Sequence, residues 1–392
     1  MLSWKRAGRL FPPIPFVVAI LAAGAAVMGQ PAGRAEAAAT SPWPSALHDS
    51  THSATARVQG PTTGRIEWTR NLGSNITPGP VAGSDGTIYV ATDAGDLYAL
   101  NPTTGATQWT FDGGGPFTGG MDLSVSPLVL STGSILWPGP KGTLYELTAA
   151  GQKAWSHVFG GTVLSPVASG QSVYVMTMAG TLSKLQLGGT TPSVSWSIPL
   201  GHVSYGSPVV SPDGDVITTV DRSVVAVVDH GTTPTVHWRV PSSATIEVSA
   251  SVARSGEVFA SANDASVYSI EPGGSLRWRK IIGHESYSSS TVTAAGLLYI
   301  GDNAGVLNIV RASNGAVVNR DHGVKGLWGA QVIDDRGDVY FGTQGKGIYG
   351  YSKSGHRLFH LESHGPIDSY PALTGTGTLI IGDESGTLYA IG

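Results

Sequence analysis

The sequence contains no cysteine, and this absence removes several kinds of chemistry at once. Disulfide bonds, a thiolate nucleophile, Cys-ligated zinc and lipid attachment through an N-terminal cysteine are all excluded. Charged residues are also scarce, at 13% of the chain, and the formal net charge is −4. We expect no nucleic-acid binding, because phosphate contacts need clustered Lys and Arg that a weakly acidic chain does not supply.

Long apolar runs are missing as well, except near the N-terminus. Basic residues precede the uncharged apolar residues 16–28, and residues 35–37 (Ala-Glu-Ala) offer a small-x-small cleavage site. The apolar run is shorter than the ~20 residues that span a bilayer. We interpret residues 1–37 as a cleaved signal peptide, which predicts a secreted, cell-surface or periplasmic protein without a membrane span; an uncleaved anchor is the alternative.

Glycine and proline are abundant, with 54 and 24 residues. This composition favours many short strands joined by tight turns over long helices. Tryptophan recurs at intervals of 40 to 46 residues, which defines a ladder of six indoles: Trp68, Trp109, Trp155, Trp196, Trp238 and Trp278. The same step leads next to Asn319 and Phe359, which replace the indole.

The segments between the ladder positions share one pattern. In the first, the β-rich residues 87–91 lead through a Gly-containing turn to the alternating residues 96–100, and a second turn leads to Trp109. A period of about 40–45 residues with four strands is typical of one propeller blade. The sequence therefore predicts an all-β, eight-bladed β-propeller of four-stranded antiparallel blades over residues 65–392.

The two ends of the chain predict how this ring closes. The last unit stops at Gly392, after its third strand, whereas residues 65–69 form a Trp-bearing strand with no blade of its own. We predict that this N-terminal strand completes the last blade, which removes an exposed sheet edge. Residues 38–64 would precede the ring as a leader or cap, and a monomer is expected.

The ladder indoles are predicted to dock between adjacent blades. Burying an indole removes about 150–250 Å² of surface, and its replacement by Ala costs about 3–5 kcal/mol. We therefore expect Trp238→Ala to lower the melting temperature more than Trp137→Ala or Trp328→Ala, since both lie off the ladder.

Three inter-blade loops carry similar His and Tyr residues and are predicted to share the face where such loops meet at the channel mouth. These ligand-face candidates are His202, Tyr205, His284, Tyr287, His364 and Tyr370. Converging neutral imidazoles could bind a metal or an anionic group. The alternative is that they are loop residues copied with the repeat, and we predict no metal site.

Other motifs have structural explanations that compete with chemical ones. Residues 48–52 (His-Asp-Ser-Thr-His) place two imidazoles at a metal-like spacing, but a capping segment is favoured because the zincin glutamate is missing. Acidic residues in the turns could suggest calcium, yet such side chains usually cap tight turns; they are Asp93, Asp96, Asp264, Asp302 and Asp383. No nucleophile elbow, phosphate loop or dinucleotide fingerprint is present, and no catalytic residue is predicted.

Residues 99–109 (ALNPTTGATQW) resemble the tryptophan-docking motif of pyrroloquinoline-quinone (PQQ) type propellers. Trp43-Pro44 and residues 48–52 are similar to the leader of many such proteins, so the resemblance covers residues 43–392. The family includes quinone-dependent alcohol dehydrogenases, BamB-type lipoproteins and exported propellers. Its dehydrogenases stack the quinone on a disulfide and hold calcium with Glu, Asn and Asp. This chain lacks the cysteines and a matching trio, so no cofactor, PQQ included, is expected.

The resemblance implies a fold and leaves the function to the site. We expect an exported binding scaffold for a protein, peptide or surface glycan, without catalysis. One alternative is a degenerate quinoprotein or another enzyme with its site at the channel mouth. A second alternative is a BamB-like envelope assembly factor, although the lipobox cysteine of that group is missing.

Overall fold

The computed structural model describes residues 42–117, 125–187, 192–201, 205–322 and 325–392. Their 32 strands form eight four-stranded antiparallel sheets, which confirms the predicted eight-bladed propeller. Across these described ranges the single helical piece is a 3₁₀ turn, Pro140–Gly142. No helix among them is long and apolar enough to cross a membrane.

The strands are short, and their bounds follow the repeat. In chain order they are β1 Ile66–Asn71, β2 Val81–Ala82, β3 Ile88–Ala91, β4 Asp96–Leu100, β5 Thr107–Asp112, β6 Leu128–Val129, β7 Ile135–Gly139, β8 Thr143–Leu147, β9 Lys153–Val158, β10 Val167–Ser169, β11 Ser172–Met176, β12 Thr181–Gln186, β13 Ser193–Pro199, β14 Val209–Val210, β15 Val216–Val220, β16 Ser223–Asp229, β17 Pro234–Pro241, β18 Ser251–Val252, β19 Val258–Ser261, β20 Ser266–Ile270, β21 Leu276–Ile281, β22 Thr291–Val292, β23 Leu297–Gly301, β24 Val306–Arg311, β25 Val317–His322, β26 Val332–Ile333, β27 Val339–Gly342, β28 Gly347–Tyr351, β29 Arg357–Glu362, β30 Ala372–Leu373, β31 Leu379–Gly382 and β32 Thr387–Ile391.

Each blade runs from a two- or three-residue inner strand to a longer outer strand. Blade 1 has the order β2-β3-β4-β5, and blades 2 to 7 repeat that order. The second strand of blade 1, Ile88–Ala91, is buried at every residue, whereas the outer strand β5 alternates between exposed and half-buried residues. Since each sheet packs between two neighbours, both faces of its middle strands lie in apolar core.

Blade 8 takes its outer strand from the other end of the chain. Its order is β30-β31-β32-β1, and Trp68 of β1 lies opposite Ala390 of β32. The backbone N–H of Gly392 also donates to the Arg65 carbonyl at 2.9 Å. The inner strands β30 and β2 touch, so the ring closes as the sequence predicted.

Five ladder indoles connect one blade to the next through the indole N–H. Their acceptors lie in or beside the turn between the third and fourth strands of the following blade: Trp68 to Pro102 O at 2.9 Å, Trp109 to Ala149 O at 2.9 Å, Trp196 to Asp229 Oδ1 at 2.9 Å, Trp238 to Pro272 O at 2.8 Å and Trp278 to Ala312 O at 2.8 Å. Trp155 differs, because its N–H donates to Glu146 within its own blade. Phe359, which replaces an indole, stacks on Tyr340 instead.

The glycine in that turn is what lets the indole dock. A Cβ placed on Gly274 would lie 2.5 Å from Trp238 Cγ, and one on Gly105 would lie 2.5 Å from Trp68 Cε3. Both glycines also have a left-handed φ, of +85° and +65°. The turn thus needs glycine for its backbone and for the close approach of the ring.

Trp137 is more deeply buried than any ladder indole, at 0% exposure. Its ring stacks on Tyr145 at 5.7 Å and meets Phe111 and Phe117 edge to face. This burial overturns the basis for expecting Trp137→Ala to be milder than Trp238→Ala. The ladder spacing identifies the indoles of the outer strands. Trp137 lies on the second strand of blade 2, and the ladder spacing does not detect indoles at that position.

Candidate binding site at the channel mouth

The two ends of the central channel are built from different loops. At one end, the inter-blade loops meet the turns between second and third strands, as in the hydrogen bonds from Asn303 N to Glu285 O at 2.9 Å and from Glu384 N to Pro366 O at 2.9 Å. We call this end the loop mouth. The turns between first and second strands lie at the opposite end, which we call the turn end.

Residues 42–60, the leader, cover the turn end of the channel. The second residue of five inner strands donates its backbone N–H to a leader carbonyl: Ala82 to Trp43 at 2.8 Å, Val129 to Pro44 at 2.7 Å, Val210 to Ser50 at 2.7 Å, Val252 to Thr51 at 2.9 Å and Ile333 to Ala54 at 2.9 Å. The leader thus satisfies edges of the inner strands that would otherwise remain unpaired. It leaves the loop mouth as the end available to a ligand.

A compact acid-capped turn shapes the leader. The Asp49 carboxylate accepts hydrogen bonds from the backbone and hydroxyl groups of Thr51 and Ser53, and from His48 Nδ1 at 3.2 Å. Burial alone would raise the pKa of Asp49, but these bonds and the His48 imidazole hold it well below its usual range. His48 is therefore engaged within the cap, in line with the capping interpretation.

The leader backbone is strained, which shows how firmly its surroundings hold it. Four non-glycine residues adopt a left-handed φ: Leu47, His48, His52 and Ala54. Each such residue costs about 1–3 kcal/mol and persists only where packing enforces it. His52 is buried, and this burial lowers the pKa of its imidazole to about 4 despite the nearby Asp49 carboxylate.

The predicted ligand-face residues do not form one cluster. His202 lies outside the described residues. His284 and His364 are exposed, and Tyr205 and Tyr287 are half-buried at the loop mouth. Tyr370 is buried against the leader residues Leu47 and Ala54.

The two described histidines of these loops have contacts with their own blades. The His364 ring lies 3.3 Å from Thr387 Oγ1 through Nδ1, and the backbone N–H of His284 donates to Asp302 at 3.2 Å. Over the described part of the chain, no three His, Asp or Glu residues come close enough to hold a metal ion.

The acidic turn residues divide into two groups. Asp264, Asp302 and Asp383 cap their own turns, because each accepts a backbone N–H from two to four residues ahead, as in Val306 N to Asp302 Oδ1 at 2.9 Å. Burial opposes ionisation of Asp383, yet bonds from Ser385 and its neighbours lower its pKa overall. Asp93 instead accepts from Thr77 Oγ1 at 3.0 Å, which joins two adjoining loops of blade 1 at the loop mouth.

Two repeated positions supply side chains of the loop mouth, and loop similarity in the sequence indicates only part of one. Four residues before the inner strand stand Thr77, Val163, Tyr205, Glu247, Tyr287, Trp328 and Asp368 among the described residues. Two residues after the second strand stand Asp93, Lys141, Met178, Arg222, Asn263, Asn303, Gln344 and Glu384. Counting back from each inner strand and forward from each second strand, rather than matching the His-containing loops, would have revealed both sets.

From blade 5 to blade 8 these positions group acidic and aromatic side chains at the loop mouth, where the exposed Lys325 and Lys346 also stand. The Tyr287 and Trp328 rings meet at 5.6 Å between centroids and 70° between planes. The Tyr287 hydroxyl donates to Glu285 Oε1 at 3.0 Å. The Gln344 side-chain amide donates to Asp368 and, at 3.3 Å, to Glu384.

Electrostatics confirm the acidic character around Tyr287. Burial is the first cause of the raised pKa of its phenol, followed by the hydrogen bond and charge of Glu285 and by the charge of Glu247. The phenol is therefore neutral at physiological pH and acts as a donor. Glu247 itself is half-buried and Glu285 is exposed.

Below the loop mouth the channel wall is lined by hydroxyl groups that join neighbouring blades. Ser249 Oγ accepts from Ser207 N at 2.9 Å, and Ser288 Oγ donates to Gly329 O at 3.1 Å. Ser251 and Ser290 bond through their hydroxyls at 2.9 Å. These serines bond to hydroxyl and backbone groups of the next blade, so they link neighbouring blades.

A shallow cleft of about 240 Å³ lies at blades 2 and 3, with His157 and Phe159 in its lining. It is smaller than the ~300–1,000 Å³ typical of small-molecule sites. Its lining includes Gly160 of the inter-blade loop and Thr177 of the turn between the second and third strands of blade 3, so part of it belongs to the loop mouth. The aromatic and acidic side chains of blades 5 to 8 lie outside this cleft, and they mark the stronger candidate for a binding surface.

Solved structures share this fold at low sequence identity. Quinohemoprotein alcohol dehydrogenase from Comamonas testosteroni matches with a TM-score of 0.71 and 14% identity, over 91% of this chain and 81% of that one. Sqt1 from Saccharomyces cerevisiae gives 0.72 and 12%, over 84% and 99%. BamB from Moraxella catarrhalis gives 0.65 and 16%, over 83% and 96%. At these identities the likeness shows the fold alone.

Sequence comparison is more specific about the family. No curated protein matches this sequence significantly. The family model described as outer membrane protein assembly factor BamB, however, matches residues 53–187 and 140–355, which together cover most of the propeller. The chain therefore belongs to the PQQ-like repeat family that this description of BamB represents.

Proposed function

We propose that this protein is a non-catalytic binding protein that holds a polypeptide partner at the loop mouth. The observation that carries the proposal is the asymmetry of the channel. The leader covers the turn end, whereas Tyr205, Tyr287 and Trp328 stand half-buried at the other end. Clustered Tyr and Trp side chains are the usual anchors of protein interfaces.

The polar groups of the loop mouth support binding over catalysis. Asp368 accepts from the Gln344 amide and Asp93 from the Thr77 hydroxyl, so both carboxylates act as hydrogen-bond acceptors. The surrounding carboxylates Glu247, Glu285 and Glu384 would repel a tricarboxylate such as PQQ. The donor set does not fit that quinone, and we propose that the protein works without it.

The family supports a polypeptide partner in the cell envelope. Its model is described as an assembly factor of the outer membrane, and residues 1–37 have the pattern of an export signal. We therefore propose an exported monomer whose partner is itself an envelope or exported protein. Participation in outer-membrane assembly is the narrower form of this proposal, and a surface glycan is the competing ligand.

The absence of cysteine permits a clean experiment. Ala304→Cys lies on an exposed turn of the loop mouth, and Asp213→Cys lies on an exposed turn of the turn end. Each variant is labelled with a photo-crosslinker and returned to its host. We expect one defined polypeptide adduct from position 304 and none from position 213. Equal yields from both ends would contradict the proposal.

Two further measurements separate the competing functions. Addition of PQQ and calcium is expected to leave no protein-bound quinone absorbance after gel filtration; a bound, reducible quinone would favour the enzyme. Saturable binding to a purified surface glycan, without any polypeptide adduct from position 304, would show that the ligand is a glycan and not a polypeptide.

A further inference from the structure

We propose that the loop mouth recognises a cationic side chain, a Lys ammonium or an Arg guanidinium, between Tyr287, Trp328, Glu247 and Glu285. We call these four residues the cation cage. The inference rests on the proposed function and specifies what the partner must present. It derives from the aromatic faces, the carboxylates without a cation and an acceptor atom without a donor.

The aromatic side of the cage is formed by neighbouring blades. Tyr287 precedes the inner strand of blade 6, and Trp328 occupies the equivalent position in blade 7. Their edge-to-face contact, at 5.6 Å and 70°, leaves ring surface of both free to meet a ligand. Cations bind over the faces of Trp and Tyr, and this attraction strengthens where water is partly excluded, as it is around these half-buried rings.

The acidic side of the cage lacks an internal cation. Glu285 accepts the Tyr287 hydroxyl at 3.0 Å and keeps further acceptor sites. Glu247 occupies the position in blade 5 that Tyr287 occupies in blade 6, and its charge contributes to the raised pKa of the Tyr287 phenol. Among the described residues neither carboxylate forms an ion pair. Two carboxylates beside two aromatic faces favour a guest with positive charge over a neutral one.

An acceptor atom beside the cage is also without a donor. Asn303, in the turn that bonds to the Glu285 carbonyl, has a buried Oδ1 with no hydrogen-bond partner in the described structure. Asn263 shows the same feature at the equivalent position in blade 5. Buried acceptors are normally satisfied. The polar contacts of the rim at blades 5 and 6 are therefore incomplete in the free protein.

The same rim already contains an intramolecular version of this recognition. Arg279 lies 5.7 Å from the centre of the Tyr268 ring and pairs with Asp264 at 3.2 Å. That aromatic–acid pair is occupied by its own guanidinium. The nearby Lys325 has its side-chain stem beside Gly345, in the turn of blade 7. The cation cage of blades 5 to 7 has the same combination of aromatic ring and carboxylate as the Arg279 site. In the cage, however, the partner would supply the cation.

The test uses fluorescein-labelled hexalysine and hexaglutamate with the purified mature chain, read by fluorescence anisotropy. Hexalysine is expected to bind and hexaglutamate is not. Glu247→Gln should weaken hexalysine binding about 3- to 10-fold and Trp328→Ala at least 10-fold, while Trp328→Phe keeps most of the affinity. The matched control Asp213→Asn removes the same charge at the turn end and should change the affinity less than 2-fold.

Two results would overturn the cage. If Asp213→Asn weakens hexalysine binding as much as Glu247→Gln, the peptide senses only the net charge. Tetramethylammonium chloride should displace hexalysine better than sodium chloride of equal ionic strength, since it offers a cation that prefers aromatic faces. Equal displacement by the two salts would show simple screening.

The outcome is separable from that of the proposed function. If a polypeptide adduct forms from Ala304→Cys while Trp328→Ala and Glu247→Gln leave hexalysine binding unchanged, the cage is refuted and the binding function stands. If neither hexalysine binding nor any adduct is found, both are refuted. Thermal unfolding of each variant, expected within a few degrees of the parent, shows that the loss is local.

Discussion

Replacing Gly274 by Ala should break one link of the indole ladder, and Gly273→Ala provides a matched control beside it. A Cβ on Gly274 would lie 2.5 Å from Trp238 Cγ and 2.6 Å from its Cβ, and neither atom is the end of a flexible chain. The same substitution at Gly273 meets no atom within 4 Å. Gly274 also has a φ of +85°, whereas Gly273 is not in the left-handed region.

The cost at Gly274 follows from three contributions. Forcing Ala into the left-handed region costs about 1 kcal/mol. Displacing the indole enough to admit a methyl group costs about 1–3 kcal/mol, as other overpacked cores do. The shift also weakens the 2.8 Å bond from Trp238 Nε1 to Pro272 O, a loss of about 1 kcal/mol. Together these predict a destabilisation of about 4 kcal/mol.

Differential scanning calorimetry measures this difference directly. At about 2 °C per kcal/mol for a chain of this size, Gly274→Ala should melt about 8 °C below the parent protein. Gly273→Ala should melt within about 1 °C of it or slightly above, because Ala restricts the unfolded chain. Equal melting temperatures for the two variants would refute the docking of Trp238 on this turn.

Three other substitutions test separate parts of the structure. Trp137→Phe keeps a ring at a fully buried position and removes an indole N–H that has no partner, so urea denaturation should show a loss of about 1 kcal/mol, against about 3–5 for Trp137→Ala; equal losses would be contrary evidence. The pKa of His52 is about 4 in the fold and 6.5 in its absence, so below pH 6.5 the unfolded chain takes up a proton that the folded protein does not. The free energy of unfolding should therefore fall by about 3 kcal/mol between pH 6.5 and pH 4. The same dependence of unfolding free energy on pH in His52→Gln would argue against this. Lys184→Met leaves the Asp229 carboxylate, 2.7 Å from Nζ and 11% exposed, without its cation, which should cost about 3 kcal/mol; adding Asp229→Asn should recover part of it, and no recovery would count against the pair.

The fold was predictable because its signals are periodic and local. In blades 1, 2, 5 and 6 the turn between the third and fourth strands has the same requirement, because a glycine such as Gly274 must accommodate an indole such as Trp238. The closing strand was equally visible, since Trp68 had no blade of its own. Trp137 escaped notice because its burial depends on Phe111 and Phe117 of the preceding blade and loop, which no interval in the sequence records.

The site was only partly predictable. Tyr205 and Tyr287 were found through loop similarity, but Glu247 and Trp328 occupy the same position without resembling them in sequence. Their common feature is distance from the inner strand, which becomes meaningful once the strands are known. The path of the leader across the turn end could not be predicted from the sequence. Its backbone carbonyls accept the hydrogen bonds from the inner strands, and every residue has a backbone carbonyl.

Hydrogen–deuterium exchange of the protein with and without its crosslink-identified partner tests most directly whether the loop mouth is the working surface. The account predicts slower exchange in residues 242–250, 282–290 and 325–331 of the complex. It predicts unchanged exchange in the leader, residues 42–60, whose contacts with the inner strands exist in the free protein. Protection confined to the leader or to the turn end would contradict the account.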